Sequence, residues 1–158
     1  MKTRTARYLV ASHVSVAVVG FAAGIYALPI LIAPAAPTAV ELKAATTQVQ
    51  FTGQFRRGLK GSDLLHWGEG TVYVSSDLIS LTGRLSPGPD YKLYLSKEFV
   101  ETEKDFKIHK SGMVRVGDVK TFENFVVYLP AGIDPVNYST VIVWCESFNE
   151  FITAAKYK

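Results

Sequence analysis

Three side chains beyond residue 33 could bind a soft metal or take part in sulfur chemistry: His66, His109 and Cys145. Cys145 is the only cysteine, which excludes an intrachain disulfide and a cysteine-rich zinc site. A metal or haem site built from His66 and Cys145 is chemically reasonable, but their spacing does not show that they meet in space. His109 lies in a run of charges and is expected to be exposed.

Cys145 lies where a buried strand is expected to reach the surface. Residues 138–148 read YSTVIVWCESF, and the run over residues 141–144 is apolar on both faces of a strand. Polar residues follow Cys145, so its thiol is predicted to be protected on one side and reachable on the other, a position that suits sulfur chemistry. The alternative is that Cys145 is a small buried residue at a strand end, as free cysteines often are.

Two further residues invite structural interpretations. His66 stands beside Trp67 and is predicted to be a buried imidazole bonded by backbone groups. Asp90 follows Gly88 and Pro89 and is predicted to cap its own backbone in a turn. The sequence contains no nucleophile elbow, phosphate-binding loop or zinc-protease motif, so a hydrolase is set aside. Whether the chain is an enzyme stays open.

The charge of the chain is concentrated at its beginning. Lys2, Arg4 and Arg7 are basic, and no charged residue follows until Glu41. The remaining basic residues equal the 14 acidic residues in number, so the body of the protein is neutral. A neutral body offers no basic stripe for a phosphate backbone, and nucleic-acid binding is therefore not expected.

Residues 1–7 form a short positive tail, and residues 8–33 form an apolar segment without charge. About 20 apolar residues cross a bilayer as a helix, whereas the apolar core of a secretory signal peptide is only about 7–15 residues long. Residues 8–33 are therefore predicted to be a transmembrane signal anchor, although Ala33-Pro34-Ala35 also has cleavage-like spacing. The positive tail predicts a single-pass protein whose C-terminal domain lies outside the cytoplasm, in the periplasm or at the cell surface.

Two features adjoin this membrane anchor. Gly20 and Gly24 have the spacing that lets two helices approach closely, which permits a homodimer through this face. Residues 34–46 are predicted to be a linker, because Pro29, Pro34 and Pro37 should end the helix and give a semi-extended spacer. Residues 39–46 show no strong periodicity, and no defined structure is expected there.

Residues 47–158 are predicted to form one β domain. Alternation of polar and apolar residues is clearest in residues 48–55, and turn residues such as those at 86–90 separate the segments. The charged residues 97–110 are expected to be a surface loop or a short helix. The predicted strands are residues 48–55, 71–74, 79–85, 91–95, 113–116, 125–129, 141–144 and 150–157. They predict an all-β fold, an antiparallel β-sandwich or barrel, preceded by one transmembrane helix.

These segments resemble the DM-thirteen domain, an electron-transfer family found in bacterial exported proteins and animal cell-surface proteins. The resemblance covers about residues 47–158. The matching residues are Gly53-Gln54-Phe55, His66, Gly70-Thr71-Val72, Gly88-Pro89-Asp90 with the strand to Leu95, Asn124-Phe125, Tyr128-Leu129-Pro130, Asp134, Tyr138, Val141-Ile142-Val143-Trp144-Cys145, Phe148, and Ala154 or Ala155. One departure is the absence of a glycine near Ile152-Thr153, which bears on the geometry of the last strand.

The resemblance implies an extracytoplasmic β domain in which Cys145 is the redox residue, as a bare thiol or as the ligand of a prosthetic group. His66 is the other candidate ligand, and haem or no group at all are both open. The function is then membrane-anchored electron transfer with an unidentified redox partner. The alternative is a non-enzymatic binding module in which Cys145 is structural. The charge of Glu146, if close, would raise rather than lower the thiol pKa.

Overall fold

The computed structural model describes residues 2–158, which form a long N-terminal helix, two short helices and a β-sandwich. Helix α1 spans Lys2–Ile32, α2 spans Ala39–Ala45 and α3 spans Glu103–His109. The strands are β1 (Val49–Phe55), β2 (Gly68–Ser75), β3 (Leu78–Leu85), β4 (Tyr91–Ser96), β5 (Val114–Val119), β6 (Glu123–Tyr128), β7 (Thr140–Cys145) and β8 (Glu150–Lys156).

The eight strands form two antiparallel sheets packed face to face. One sheet has the order β1-β2-β3-β6 and the other the order β5-β4-β7-β8. Across the two open sides of the sandwich, β1 lies beside β8 and β5 lies beside β6. The predicted all-β fold behind an apolar helix is confirmed, and the architecture is a sandwich rather than a closed barrel.

Strand β7 is buried on both faces, as its unbroken apolar sequence predicts. Val141, Val143 and Cys145 belong to the core between the two sheets. Ile142 and Trp144 face the other way, into a second apolar cluster beneath α3. The same strand therefore joins two cores, and its last inward residue is Cys145.

Helix α3 covers the outer face of the second sheet. It begins at Thr102, whose side chain accepts a hydrogen bond from the backbone N–H of Asp105, as an N-cap residue does. Phe106 is fully buried and stacks on Trp144 with ring centroids 3.9 Å apart and an interplanar angle of 7°. The charged segment 97–110 thus contains the short helix expected, anchored by its one buried aromatic residue.

Helix α1 has the length and apolar composition of a membrane span, criteria that a signal sequence near an N-terminus also meets. The prediction that Pro29 helps to end this helix is wrong, because α1 continues through Pro29 to Ile32. Proline lacks only its own N–H group, and helices in apolar surroundings tolerate it. A Cβ atom at Gly20 or Gly24 would meet open space. Dimerisation through these two glycines stays a prediction.

The expectation of an undefined segment over residues 39–46 is also wrong, because Ala39–Ala45 forms α2. A capping box starts it: Thr38 accepts a hydrogen bond from the N–H of Glu41, and the backbone N–H of Thr38 donates to Glu41 Oε2 at 2.7 Å. Leu42 is buried where α2 lies against β3. The spacing of Thr38 and Glu41 was the sequence signal for this helix.

Candidate functional site

A cavity of about 200 Å³ lies at the end of the sandwich where β7 stops. Cys145 and His66 both line it, so the fold brings together the two candidate ligands whose meeting the sequence left open. The lining is mostly apolar. The remaining residues of the wall are Ala22, Ile25, Tyr26, Leu65, Pro87, Gly88, Pro89, Tyr91, Phe148 and Ile152.

A tight hairpin places the thiol of Cys145. The chain turns from β7 into β8 over residues 146–149, and Asn149 adopts the left-handed conformation with φ 55°, which asparagine tolerates well. Cys145 is only 3 % exposed and stands opposite Tyr91 on neighbouring strands. The backbone N–H groups of Phe148, Asp90 and Ser147 are near enough to the sulfur to act on the pKa of its thiol. The turn thus places polar backbone groups beside the sulfur in an otherwise apolar wall.

Burial raises the pKa of the Cys145 thiol above its ordinary value. The backbone N–H groups act in the opposite direction, and the nearby charge of Asp90 adds to the rise. The free thiol is therefore protonated at neutral pH and is not an activated nucleophile. A bound metal would change this, because a coordinating thiol loses its proton.

His66 is held by a carboxylate rather than by the backbone, so the predicted buried imidazole bonded by backbone groups is wrong. Its side chain is 28 % exposed, and its Nδ1 lies 3.0 Å from Asp63 Oδ2. Asp63 Oδ1 also accepts hydrogen bonds from the backbone N–H groups of Leu65 and His66. Within residues 2–158, Nε2 of His66 has no hydrogen-bond partner. A carboxylate that fixes one ring nitrogen and leaves the other free is the arrangement found around ligating histidines.

The prediction that Asp90 caps its own backbone is wrong. Asp90 instead braces the turn that carries Cys145. Its carboxylate accepts hydrogen bonds from Lys92 Nζ at 2.6 Å and from Ser147 Oγ at 2.9 Å. Its carbonyl oxygen accepts one from the N–H of Glu146 at 3.0 Å. Asp90 therefore ties the start of β4 to the end of β7, a role that its turn motif alone could not show.

This bracing should make the fold sensitive to acid. Hydrogen bonding from Lys92 holds the pKa of Asp90 below its usual value, and the same lysine lowers the pKa of Asp118. Stability from these carboxylates is fully present above the unfolded pKa, about 3.9, and is lost as pH falls through the lower folded value. We expect Lys92→Met to move acid unfolding to higher pH, measured by circular dichroism on the full chain in detergent.

The matched control for that change is Lys120→Met, which removes the same charge from an exposed position nearby. It should leave the midpoint of acid unfolding close to that of the wild type. Equal midpoints for the two variants would mean that Lys92 does not stabilise the folded carboxylates.

Gly88 is required by the close approach of the 87–90 loop to Tyr91. A Cβ atom at Gly88 would lie 2.5 Å from Cζ of the Tyr91 ring. Tyr91 is 3 % exposed and packs edge-on against Phe122, and burial raises its pKa, so the phenol stays neutral. The glycine therefore lets this loop close over the ring and form one wall of the cavity.

The last strand has a bulge at Ile152, beside the position where the family resemblance leads one to expect a glycine. Val143 pairs with Thr153 and Trp144 pairs with Phe151, so Ile152 has no partner on β7. Ile152 is fully buried and lines the cavity. The irregularity is therefore local, and it supplies an apolar side chain to the wall beside Cys145.

Two other residues singled out in the sequence lie away from the cavity. His109 is exposed at the end of α3, as expected. The carboxylate of Glu146 accepts hydrogen bonds from the Tyr94 hydroxyl and from Lys110. The acidic charge that raises the thiol pKa is therefore that of Asp90, not Glu146. Within the described part of the chain, no three His, Cys, Asp or Glu residues are grouped to hold a metal ion.

The family model described as electron transfer DM13 matches residues 50–157. That range holds Cys145, His66 and every cavity residue except those of α1. No curated protein and no solved structure matches the chain.

Proposed function

Because the chain belongs to the electron-transfer DM13 family, we propose that it is a membrane-anchored electron-transfer domain in which Cys145 holds a redox-active group. The observation that carries this proposal is the convergence of Cys145 and His66 on one apolar cavity. Lys2, Arg4 and Arg7 in the first turns of α1, with no charged residue after them until Glu41, support a cytoplasmic N-terminus and a domain outside the cytoplasm. The redox partner is a second molecule that meets the domain on that side.

A ligand role for Cys145 agrees better with its surroundings than a bare thiol role. The raised pKa of the free thiol works against attack on a disulfide or oxidation, which need the thiolate. In a coordinated thiolate the nearby backbone N–H groups of Phe148, Asp90 and Ser147 would stabilise the charge on the sulfur. Hydrogen bonds to the sulfur tune the redox potential of sulfur-ligated iron.

His66 is the second residue prepared for ligation. Asp63 orients the imidazole through its Nδ1, and Nε2 has no hydrogen-bond partner in the described chain, so it is free to face a ligand. A haem supplies reversible one-electron transfer and needs only one or two protein ligands, so two donors suffice where a protein-only metal site would need more. The donor set therefore fits such a group.

The volume of the cavity sets a limit on how that group is held. Small-molecule sites have volumes of about 300–1,000 Å³, and the cavity holds about 200 Å³. It can enclose the ligated part of a macrocycle but not the whole. A group of that size would therefore extend beyond the cavity.

The test is the visible absorption spectrum of the full chain purified in mild detergent from its own membranes. We expect a chromophore that can be reduced and reoxidised, and we expect Cys145→Ala to lose it. Val143→Ala is the matched control, since Val143 is fully buried on the same face of β7 and its truncation costs packing without removing a ligand. The control should keep the chromophore.

The competing function is a binding module in which Cys145 only packs. Its near-complete burial and its place in the core between the sheets favour that alternative. A colourless wild-type protein, with a thiol that is alkylated only after denaturation, would reject the electron-transfer proposal. It would leave the binding module standing.

A further inference from the structure

One face of helix α1 forms part of the cavity that contains Cys145. Ala22, Ile25 and Tyr26 line it, and Pro29 lies against the 88–92 segment just beyond. Ile25 is half-buried and Pro29 is buried, whereas residues 3–24 are exposed. At about 100° per residue, these four positions share one side of the helix, and Gly20 and Gly24 lie on the other. The domain is thus seated on a defined face of α1.

The position of this contact along α1 fixes its depth in a membrane. At about 1.5 Å per residue, the helix rises about 21 Å from Tyr8 to Ala22 and about 27 Å from Tyr8 to Tyr26. The hydrocarbon core is about 30 Å thick, and tilting of the helix only increases the length needed to cross it. A span that starts at Tyr8, directly after the charge of Arg7, therefore still has Ala22 and Tyr26 inside the apolar layer. The mouth of the cavity lies at that depth.

Of three exposed apolar side chains here, two line the cavity and the third, Leu64, is next to Leu65 in the chain. Leu64 is 95 % exposed, Leu65 is 56 % exposed and Phe148 is 50 % exposed. Leu65 and Phe148 line the same cavity as Ala22 and Tyr26, so these side chains lie at the depth of the outer third of the span. Large exposed apolar groups gathered at one place on a protein mark an interaction surface.

The turn that carries the leucines is ordered rather than loose. Asp63 accepts two backbone hydrogen bonds, from Leu65 at 2.7 Å and from His66 at 2.8 Å. Its other oxygen pairs with the His66 ring. The carboxylate of Asp63, beside the leucines, therefore already has hydrogen-bond partners, which lowers the cost of bringing it to the headgroup region. A fixed turn with a leucine at its tip is suited to insertion in a bilayer.

We infer that this end of the domain is inserted in the membrane leaflet from which α1 emerges, with Leu64, Leu65 and Phe148 in the acyl-chain boundary. The partner of this apolar surface is the lipid itself. The Cys145 cavity then opens toward the leaflet and not toward bulk water. This inference rests on α1 spanning the membrane, and it is independent of any redox role of Cys145.

The experiment measures the depth of single labels in the full chain. Leu64→Cys is labelled with an environment-sensitive fluorophore in nanodiscs of phosphatidylcholine and phosphatidylglycerol, with the unsubstituted chain as the blank for Cys145. Val136→Cys is the matched control, because Val136 is apolar, 42 % exposed and lies just before β7, at the end of the sandwich opposite Cys145. Val16→Cys, in the middle of α1, reports the span itself.

Spin-labelled lipids with the quencher near the headgroup end should quench the Leu64 label and leave the Val136 label unchanged. The label at Phe148→Cys should be quenched as the label at Leu64→Cys is. Because position 148 lies outside the 59–67 turn, a disturbance of that turn by the Leu64 substitution would not decide the result alone. Equal, unquenched signals from positions 64, 148 and 136 would overturn the inference. Spin-labelled lipids with the quencher deep in the acyl chain should quench the label at position 16, and a failure to do so would overturn the inference too, since α1 would then not span.

Discussion

Gly70→Ala should lower the free energy of unfolding of the domain by about 3 kcal/mol or more. Gly70 has φ +126°, a conformation that a side chain strains, and it stands opposite Gly83 on the next strand. A Cβ atom there would lie 2.6 Å from the Cα of Gly83 and closer still to the carbonyl oxygen of Thr82. Both obstacles are backbone atoms, so no side-chain rotation relieves them.

The opposing strand cannot withdraw from that contact. Its pairing with β6 is irregular between Leu81 and Arg84, and the N–H of Gly83 donates instead to Oδ1 of Asn124 at 3.0 Å. Asn124 itself adopts a positive φ of 55°. Strand β3 is therefore held on both sides at the point where the new methyl group would press. Urea unfolding of the full chain in detergent, followed by tryptophan fluorescence, measures the loss.

Two other glycines separate the causes of this loss. Gly132 has φ +87° but open space around it, so Gly132→Ala should lose only the contribution of backbone strain. Gly58 has open space and no positive φ, so Gly58→Ala should change little. If Gly70→Ala unfolds at the same urea concentration as Gly58→Ala, the close approach of β2 and β3 is not as the structure has it.

Trp144→Ala should cost about 3–5 kcal/mol, because it empties the centre of the second apolar cluster. The indole is 1 % exposed and lies flat on Phe106, which is fully buried. Trp144→Phe should cost much less, since a phenyl ring keeps the stacking. It also removes the buried Nε1, which has no hydrogen-bond partner in the described chain.

The same unfolding measurement compares these variants, with circular dichroism as the signal because fluorescence changes with the indole. Trp67→Ala is the control: Trp67 is only half-buried and lies under the Arg57 guanidinium at the surface, so its truncation should cost less than that of Trp144. Since Trp144 faces away from the cavity, Trp144→Phe should leave the environment of Cys145 unchanged. A loss for Trp144→Phe as large as that for Trp144→Ala would show that the stacking contributes little.

The strand of Cys145 was predictable because its signal is local. An apolar run on both faces followed by polar residues specifies a doubly buried strand and its end, and β7 stops at Cys145 as that pattern requires. The capping box that starts α2 was equally local, at Thr38 and Glu41. A reading of the sequence for apolar periodicity passes over it because a helix of seven residues has almost no periodicity to detect.

The cavity was not predictable from the residues alone, since its walls come from segments far apart in the chain. His66, Tyr91 and Cys145 meet only through the pairing of β4 with β7 and the packing of the two sheets. The brace formed by Asp90 and Ser147 depends on the same pairing. The resemblance to a family pointed to these positions, but it could not show which faces they share or that α1 forms part of the cavity wall.

The contribution of α1 to the cavity wall makes the maturation of the N-terminus chemically consequential. In a chain that keeps residues 22–26, Cys145 lines a cavity whose wall is formed by both α1 and the β domain. A chain cut after residue 35 would keep both sheets but would lose Ala22, Ile25 and Tyr26 from the wall of that cavity. Retention or removal of the leader therefore decides more than where the protein resides. It also decides whether residues of α1 form part of the surroundings of the Cys145 sulfur.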